Sequence, residues 1–389
     1  MNHKIIARVG TADSEDSLAR PSNCCQLDFA QFHRYHVRFA FAETMSKSGH
    51  VLGSGPAAGI PGGEVIIAFE GLSEEAARNC EIRFGNEKSH VVAMTSRRAL
   101  VIVPLVKRGG EVEVTISPGP EGAETSPAAK FVVGRKLGED LHPVANPAFD
   151  PEDGSLFVTR SGSRGEQIPV SLFRISADGE LSEFSGEITN PTGIAFDSAG
   201  QMFVTSRFDG SVYRVSPLRE VSAFASDLGI TTGIAFNRDG EMFVGDRSGA
   251  IYRVNEIGEG SVWVQLEPSV SAYHLAFGPD GALYVTGPTV SSFDTIVRID
   301  EDGEQSIFYR GLGRPQGLAF DREGNLYVAA SYQGRRGIFR ISPDAKNAEI
   351  AVAGMNVVGL AFSPTGEMVV ATNDTIYSLP LGIYGTLLN

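Results

Sequence analysis

PTGIAFDSAGQMFVTS, residues 191–206, is one of six copies of a pattern that recurs through the C-terminal two thirds of this chain. The other copies read ANPAFDPEDGSLFVTR (145–160), TTGIAFNRDGEMFVGD (231–246), AYHLAFGPDGALYVTG (272–287), PQGLAFDREGNLYVAA (315–330) and VVGLAFSPTGEMVVAT (357–372). The phenylalanines that all six share are Phe149, Phe196, Phe236, Phe277, Phe320 and Phe362, at intervals of 47, 40, 41, 43 and 42 residues. A regular period of this length predicts a repeat architecture.

Each copy predicts a β-hairpin followed by two more strands. After the apolar run at 193–196 comes a turn in which Gly200 can adopt the left-handed conformation, and a second apolar run occupies 202–204. A third run follows, as in VYRV (212–215), and then a looser fourth one. Four-stranded units bury their faces against each other when they close radially, so residues 137–389 are predicted to form a six-bladed β-propeller. The last blade would be completed either by 382–388 or by a strand near 141–144.

Residues 50–136 predict a second, smaller domain, which makes the chain all-β. Short β-rich runs recur about every ten residues with turn residues between them. They are EVIIAF (64–69), CEIRF (80–84), HVVAM (90–94), ALVIVP (99–104), EVEVTIS (111–117) and AKFVV (129–133). This spacing is typical of a small immunoglobulin-like sandwich. Residues 1–49 show no helical or strand period and are predicted to be a poorly ordered extension, with Met45 as an alternative natural start.

Composition and charge exclude several partners. No apolar run approaches the roughly 20 residues that cross a bilayer, and no secretory signal is seen, so we expect no membrane partner and a cytoplasmic protein. Cys24, Cys25 and Cys80 form neither a disulfide framework nor a metal motif. Residues 137–389 carry 17 basic and 32 acidic side chains, a charge of −15 that would repel nucleic acid.

One end of the predicted channel collects the candidate binding residues. In a blade the innermost strand starts at one end of the channel and the second strand returns to it, so the residues before the first and after the second share a face. Those before the inner strands are Asn146, Thr192, Thr232, Tyr273 with His274, Gln316 and Val358. Those after the second strands, in the following loops or just ahead of blade five are Arg160, Arg164, Arg207, Asp246, Arg247, Arg314, Arg335 and Arg336.

Arginine supplies 16 of the 17 basic residues of 137–389. Five repeat at one third-strand position and are predicted to pair between strands or blades, namely Arg174, Arg214, Arg253, Arg298 and Arg340. Seven others map to the candidate face, where guanidinium groups suit carboxylate or phosphate partners. The alternative is that these seven pair with local acids such as Asp209, Asp246 and Asp294 and lock the loops. His274 is interpreted either as a hydrogen-bonded lining residue or as a catalyst.

Residues 50–136 resemble the TIG/IPT immunoglobulin-like family in the strings IPGGEVIIAFEGL, IRFGNEKSHVV, VIVP and GGEVEVTISPGPEG. The matching features are the pairs Gly62–Gly63, Phe84–Gly85 and Val103–Pro104. The resemblance implies a spacer or docking module. Some relatives bind DNA through basic loops, but this segment is neutral overall.

Residues 137–389 are similar along their whole length to NHL-repeat and gluconolactonase/regucalcin-like propellers. Relatives of the gluconolactonase type hold a divalent metal on the axis with carboxylate and asparagine side chains, which implies Ca or Zn and a lactonase-like hydrolase acting on a lactone or sugar acid ester. Among the residues before the inner strands only Asn146 is of a metal-binding type, and Asp246 lies one layer further from the axis. A hard cation takes several oxygen ligands, including charged ones. No other catalytic motif occurs. We therefore expect a non-enzymatic protein without a cofactor that binds a small anionic molecule or an acidic peptide, with the hydrolase as the alternative.

Overall fold

The computed structural model describes residues 50–72, 80–117, 129–290 and 294–386, and every regular element in these ranges is a β-strand. They belong to one compact unit, Phe41–Asn389. The predicted N-terminal extension, the alternative start at Met45 and the Cys24–Cys25 pair lie outside the described residues. Within those ranges there is no helix of the length and apolarity that a membrane span requires.

The first nine strands pack as two facing sheets. They are β1 (His50–Gly55), β2 (Ala58–Gly59), β3 (Glu64–Glu70), β4 (Glu81–Phe84), β5 (Glu87–Lys88), β6 (His90–Met94), β7 (Arg98–Ile102), β8 (Gly110–Ser117) and β9 (Ala129–Val133). One sheet has the order β1-β3-β7-β6, and the other contains β2-β9-β8-β4-β5. Alternate residues of both sheets point inward, so Ile67, Val101, Phe84 and Phe131 share one apolar core. We refer to residues 50–133 as the sandwich region.

The remaining strands form six four-stranded antiparallel units. Units one to three are β11–β14 (Ala148–Phe149, Leu156–Thr159, Leu172–Ile175, Leu181–Ser185), β15–β18 (Pro191–Phe196, Met202–Ser206, Ser211–Val215, Val221–Ala225) and β19–β22 (Thr231–Phe236, Met242–Asp246, Ala250–Val254, Gly260–Gln265). Units four and five are β23–β26 (His274–Phe277, Leu283–Thr286, Asp294–Ile299, Gln305–Leu312) and β27–β30 (Leu318–Phe320, Leu326–Tyr332, Arg335–Ile341, Ala348–Ala353). Unit six contains β31–β33 (Val357–Phe362, Met368–Thr372, Ile376–Leu379).

Unit six takes its fourth strand from ahead of unit one. That strand is β10 (Arg135–Gly138), which pairs antiparallel with β33. Neither predicted alternative forms it: Leu141 instead donates its amide hydrogen to the carbonyl of Asp374, and Thr386 donates to the carbonyl of Phe320 in unit five. The edge of β33 requires backbone partners, and the segment that leaves β9 reaches it first. The predicted boundary after residue 136 therefore falls inside β10.

The repeated phenylalanine packs against the preceding unit. In five units its ring contacts an aromatic ring on the second strand of the unit before. The distances between ring centroids are 5.9 Å for Phe196 and Phe157, 5.4 Å for Phe236 and Phe203, 5.2 Å for Phe277 and Phe243, 4.8 Å for Phe320 and Tyr284, and 5.2 Å for Phe362 and Tyr327. Such tilted and edge-to-face pairs contribute about 0.5–1.5 kcal/mol beyond area burial. The phenylalanine that repeats in the sequence is therefore a residue through which each of these units contacts the unit before it.

The third-strand arginines are structural, as predicted, and they act within units. Arg174 pairs with Asp153, Arg253 with Glu241 and Arg298 with Asp280, each carboxylate coming from the hairpin of the same unit. Arg340 pairs with Glu349 on the next strand. Arg214 instead stacks on the rings of Phe203 and Phe224.

The sandwich region and unit five share one nine-stranded sheet. Its order is β27-β28-β29-β30-β2-β9-β8-β4-β5, with β2 parallel to β30 on one side and to β9 on the other. Ile60 donates to the carbonyl of Ala353 at 2.9 Å. A Cβ on Gly63 would lie 2.5 Å from that carbonyl oxygen, so only glycine allows this approach. The two regions are joined by backbone as well as by side chains.

Candidate functional site

The residues before the inner strands hold neighbouring units together. The hydroxyl of Thr159 donates to the carbonyl of Thr192 at 3.1 Å, and that of Thr205 donates to the carbonyl of Thr232 at 2.7 Å. The Thr286 hydroxyl donates in the same way to the carbonyl of Gln316. Each bond runs from the second strand of one unit to the inner strand of the next. We call this set of bonds the threonine girdle.

Thr232 and Tyr273 are buried and hydrogen-bonded inside the protein. The Thr232 hydroxyl donates to the carbonyl of Gly245 at 3.1 Å and accepts the amide hydrogen of Tyr273 at 3.0 Å. The phenol of Tyr273 donates to the carbonyl of Glu267. Burial, followed by the charges of Glu267 and Asp246, raises the pKa of this phenol to about 12. Both side chains of these predicted site residues are therefore already bonded to backbone groups of the protein.

Asn146 crosslinks three units at the channel. Its amide nitrogen donates to the carbonyl of Leu318 in unit five at 2.9 Å, and its oxygen accepts the amide hydrogen of Leu360 in unit six at 3.1 Å. A Cβ on Gly317 would lie 2.0 Å from that oxygen. The side chain thus ties the start of the ring to its last two units.

His274 is a buried histidine whose Nε2 has no hydrogen-bond partner in the described part of the chain. Burial lowers the pKa of the imidazole to about 4, because the surroundings do not solvate the charged form. The ring is therefore neutral at pH 7. Thr192 has a similarly buried hydroxyl without a partner among the described residues, although its carbonyl belongs to the threonine girdle.

Replacing His274 with leucine is expected to flatten the acid side of the stability profile. The folded-state pKa lies below the unfolded value, so the unfolded chain binds the proton first and stability falls as pH drops from 6.5 towards 4. Between pH 7 and pH 5 the wild type should lose about 2 kcal/mol relative to His274→Leu. Urea unfolding of both proteins at the two pH values measures the difference. Parallel profiles would show that the imidazole is solvated in the folded protein.

Three arginines from successive units interact electrostatically, since the charges of Arg164 and Arg247 both act on Arg207. Arg207 of unit two is half-buried, and its Nη2 donates to the carbonyl of Gly162 at 3.1 Å. Burial first, and then the positive charges of Arg247 and Arg164, lower the pKa of Arg207. Arg247 and Arg164 are exposed, and Arg247 donates to the carbonyl of Val270 at 3.1 Å. We call Arg164, Arg207 and Arg247 the arginine cluster.

The neighbouring acids are occupied by other donors. Asp209 accepts from the amide of Ser211 and the phenol of Tyr213. Asp246 is buried and accepts from the amide of Ile230 at 2.6 Å and from the hydroxyl of Ser248, while Asp294 accepts from the amide and hydroxyl of Thr289. Among the described residues no salt bridge joins a member of the arginine cluster to a carboxylate. The loop-locking pairs considered from the sequence are not formed.

The other predicted arginines are placed differently. Arg335 lies at the sandwich region, where its Nη2 donates to the carbonyls of Gly55 at 3.0 Å and Glu64 at 2.9 Å. Arg336 and Arg314 are exposed on unit five, and Arg314 has a left-handed backbone with φ of 49°. Arg160 is half-buried, and its charge contributes to lowering the pKa of Glu166. Nothing in the described residues brings these four to the arginine cluster.

Two apolar side chains at the arginine cluster were missed by sequence reasoning. Phe208, next to Arg207, is 53% exposed, and a Cβ on Gly165 would lie 3.0 Å from its ring. Val270, whose carbonyl accepts from Arg247, is 47% exposed. A phenylalanine in a loop gives no sequence signal for exposure, because strand periodicity does not extend into the loop.

No protein-family model matches the chain, and no curated protein matches it in sequence. Solved structures do. A putative gluconolactonase is 18% identical, with a TM-score of 0.54 over 68% of this chain and 94% of its own. A gluconolactonase from Xanthomonas campestris is 17% identical, with a TM-score of 0.52 over 64% of this chain and 89% of its own. The calcium-binding protein regucalcin from Agrobacterium tumefaciens is also 17% identical, with a TM-score of 0.52 over 66% of this chain and 97% of its own. The chain contains a β-propeller. At these identities the likeness shows the fold alone.

The residues at the propeller axis do not fit a divalent cation. Across 50–72, 80–117, 129–290 and 294–386 no group of three or more His, Cys, Asp or Glu side chains could hold a metal ion. The inner strands of the six units line a cavity in which Asp197 is the single carboxylate among the described residues. Its Oδ1 accepts the amide hydrogens of Ala199 at 2.9 Å and Gln201 at 2.8 Å. Ca²⁺ takes six to eight oxygen ligands. The axis of this propeller lacks that donor set within the described residues.

Proposed function

We propose that this protein is a binding protein whose arginine cluster receives a small anionic molecule or an acidic peptide. The observation that carries the proposal is the position of Arg207, which is half-buried and whose pKa is lowered first by that burial and then by the positive charges of Arg247 and Arg164. Holding three like charges together is unfavourable unless something compensates them. In this place the protein itself supplies carbonyl oxygens, which accept hydrogen bonds but carry no net charge.

An anion would supply that compensation. Carboxylate and phosphate oxygens match the planar fork of guanidinium, and charge-assisted hydrogen bonds are roughly twice as strong as neutral ones. The exposed faces of Phe208 and Val270 at the same surface favour a ligand that also has an apolar part. The rest of residues 137–389 is strongly acidic, so the cluster is a local exception in the field of the domain.

The proposal extends to the domain organisation. We propose that the sandwich region is an immunoglobulin-like sandwich of the TIG/IPT kind and that the chain from β10 onward is a six-bladed propeller of the NHL or gluconolactonase/regucalcin kind. Two facing sheets support the first assignment, and six four-stranded units with a shared phenylalanine contact support the second. The proposal does not include lactone hydrolysis, which the family resemblance links to a metal on the axis, because the described residues contain no group of three or more His, Cys, Asp or Glu side chains that could hold one.

The double variant Arg207→Ala/Arg247→Ala is expected to bind anions at least tenfold more weakly than the wild type. Each replacement removes a charge-assisted donor from the cluster. Citrate, tripolyphosphate and a hexaglutamate peptide are the probes, measured by isothermal titration calorimetry at low salt. The melting temperature without probe should fall by only a few degrees, because the loss of the hydrogen bonds to the carbonyls of Gly162 and Val270 is offset by relief of the repulsion among the three positive charges. The rise that saturating probe produces should disappear.

The matched control is Arg108→Ala, which removes one positive charge from an exposed position of the sandwich region. It should bind the probes as the wild type does. Loss of affinity in this control to the same extent would mean that only overall charge matters. A fall of many degrees in the melting temperature of the double variant without probe would mean that the arginines lock loops instead.

A further inference from the structure

Asn190 of unit two holds the loop of unit one that carries Arg164. It lies directly ahead of β15 and is fully buried. Its side-chain oxygen accepts the amide hydrogen of Gly165 at 2.7 Å. Its side-chain nitrogen donates to the carbonyls of Gly162 and Ser163, at 2.9 Å each. Three hydrogen bonds from one side chain therefore fix this loop of the neighbouring unit.

The same residue is also bonded to Arg207. The backbone amide of Arg207 donates to the carbonyl of Asn190 at 3.2 Å. The guanidinium of Arg207 donates to the carbonyl of Gly162, which accepts from the Asn190 side chain as well. Two members of the arginine cluster are thus tied to one buried asparagine, although they belong to different units.

The backbone of Asn190 is in the left-handed conformation, with φ of 47°. Asparagine tolerates this conformation better than most residues do. Asn356 occupies the corresponding place ahead of β31 in unit six, with φ of 55°, and its carbonyl accepts the amide hydrogen of Asn373 at 3.0 Å. The side chain of Asn356 is exposed and forms no hydrogen bond within the described ranges. The turn therefore does not depend on side-chain bonds, and the three bonds of Asn190 are additional to it.

We propose that Asn190 is a positioning residue of the anion site, which holds loop 162–165 so that Arg164 acts on the same ligand as Arg207. The inference rests on the function proposed above. An arginine on an unrestrained loop would lose conformational freedom when an anion binds, and that loss reduces affinity. A loop that is fixed beforehand avoids it. Asn190 does not contact the ligand, because it is buried and both of its side-chain N–H groups are donated to the loop.

Asn190→Gly tests the proposal, because glycine keeps the left-handed backbone and removes the three side-chain bonds. We expect it to bind tripolyphosphate about fivefold more weakly than the wild type in isothermal titration calorimetry. The amide hydrogen of Gly165, which loses its acceptor, should exchange at least tenfold faster. Asn356→Gly is the matched control and should bind the probe as the wild type does.

A double-mutant cycle separates positioning from a general loss of structure. In an Arg164→Ala background, Asn190→Gly should weaken binding by less than about twofold, because the side chain that it positions is gone. In an Arg247→Ala background it should still weaken binding about fivefold, since Arg247 belongs to unit three and donates to the carbonyl of Val270. A fivefold loss in both backgrounds would mean that Asn190 supports the fold in general, and would overturn the proposal.

The outcomes distinguish this inference from the proposed function. If the wild type does not bind tripolyphosphate, or if Arg207→Ala/Arg247→Ala binds it equally well, both proposals are overturned. If the wild type binds the probe, the double variant loses it and Asn190→Gly retains full affinity, this inference alone is overturned.

Circular dichroism melting checks that each variant is folded. If Asn190→Gly does not fold, hydrogen exchange of the other proteins decides. Saturating tripolyphosphate should slow the exchange of the Gly165 amide in the wild type, and Arg164→Ala should remove that protection. Exchange that the probe leaves unchanged in the wild type, or slows equally in Arg164→Ala, would overturn the proposal.

Discussion

Arg335→Ala is expected to lower the free energy of unfolding by about 3 kcal/mol, since hydrogen bonds to a charged group contribute roughly 1.5–3 kcal/mol each. The Arg335 guanidinium donates to two carbonyls of the sandwich region, those of Gly55 and Glu64. Alanine would leave both acceptors at a junction that is partly closed to water. Urea unfolding measures the loss. Hydrogen exchange at Ile60, whose amide bonds to Ala353 across the junction, should become faster.

Arg336→Ala is the control for this change. The two arginines are adjacent, but Arg336 is exposed and its guanidinium contacts only the sulfur of Met355, at 3.8 Å, among the described residues. Its removal should alter stability by less than about 0.5 kcal/mol. Equal losses in both variants would show that Arg335 acts through charge rather than through its two bonds.

Thr205→Val should also cost about 3 kcal/mol, because two buried backbone groups lose their partner. The Thr205 hydroxyl donates to the carbonyl of Thr232 and accepts the amide hydrogen of Gly193 at 2.8 Å. Valine has nearly the same shape, so the cost comes from the hydrogen bonds and not from packing. The melting temperature and the urea midpoint should both fall.

Two further variants calibrate the Thr205 result. Thr205→Ser keeps the hydroxyl and should recover most of the stability. Thr159→Val breaks a single bond of the threonine girdle, to the carbonyl of Thr192, and should cost about half as much. If Thr205→Ser is as unstable as Thr205→Val, then the methyl group matters more than the hydroxyl and the girdle is not the cause.

The sequence predicts the all-β character and the repeat units well, because apolar alternation and turn residues are local signals. It does not predict the strand that completes unit six. RKLG (135–138) has no apolar alternation, and its pairing depends on the open edge of β33, more than 230 residues later in the chain. Partners at that separation leave no local pattern.

The candidate site is predicted in part for a similar reason. Strand-end geometry groups Arg207 with Arg247, and the charge of Arg247 is, after burial, a cause of the lowered pKa of Arg207. The same geometry does not predict the position of Arg335. Strands β28 and β29 of unit five extend to Tyr332 and Arg335, which pair at a tight turn. The Arg335 guanidinium therefore reaches the sandwich region, where it donates to the carbonyl of Gly55. The roles of Thr232 and Tyr273 follow from contacts between units, which a single hairpin pattern does not contain.

The chain leaves β9 of the sandwich region, passes Gly134 and enters β10 at once. The sandwich region is therefore attached on one side to unit five through β2 and continues on the other into the closing strand of unit six. A fragment cut at residue 139 to isolate the propeller would lose that strand and expose the backbone of β33 to other chains. A fragment that is to keep unit six complete therefore has to begin before Arg135, so that β10 stays paired with β33.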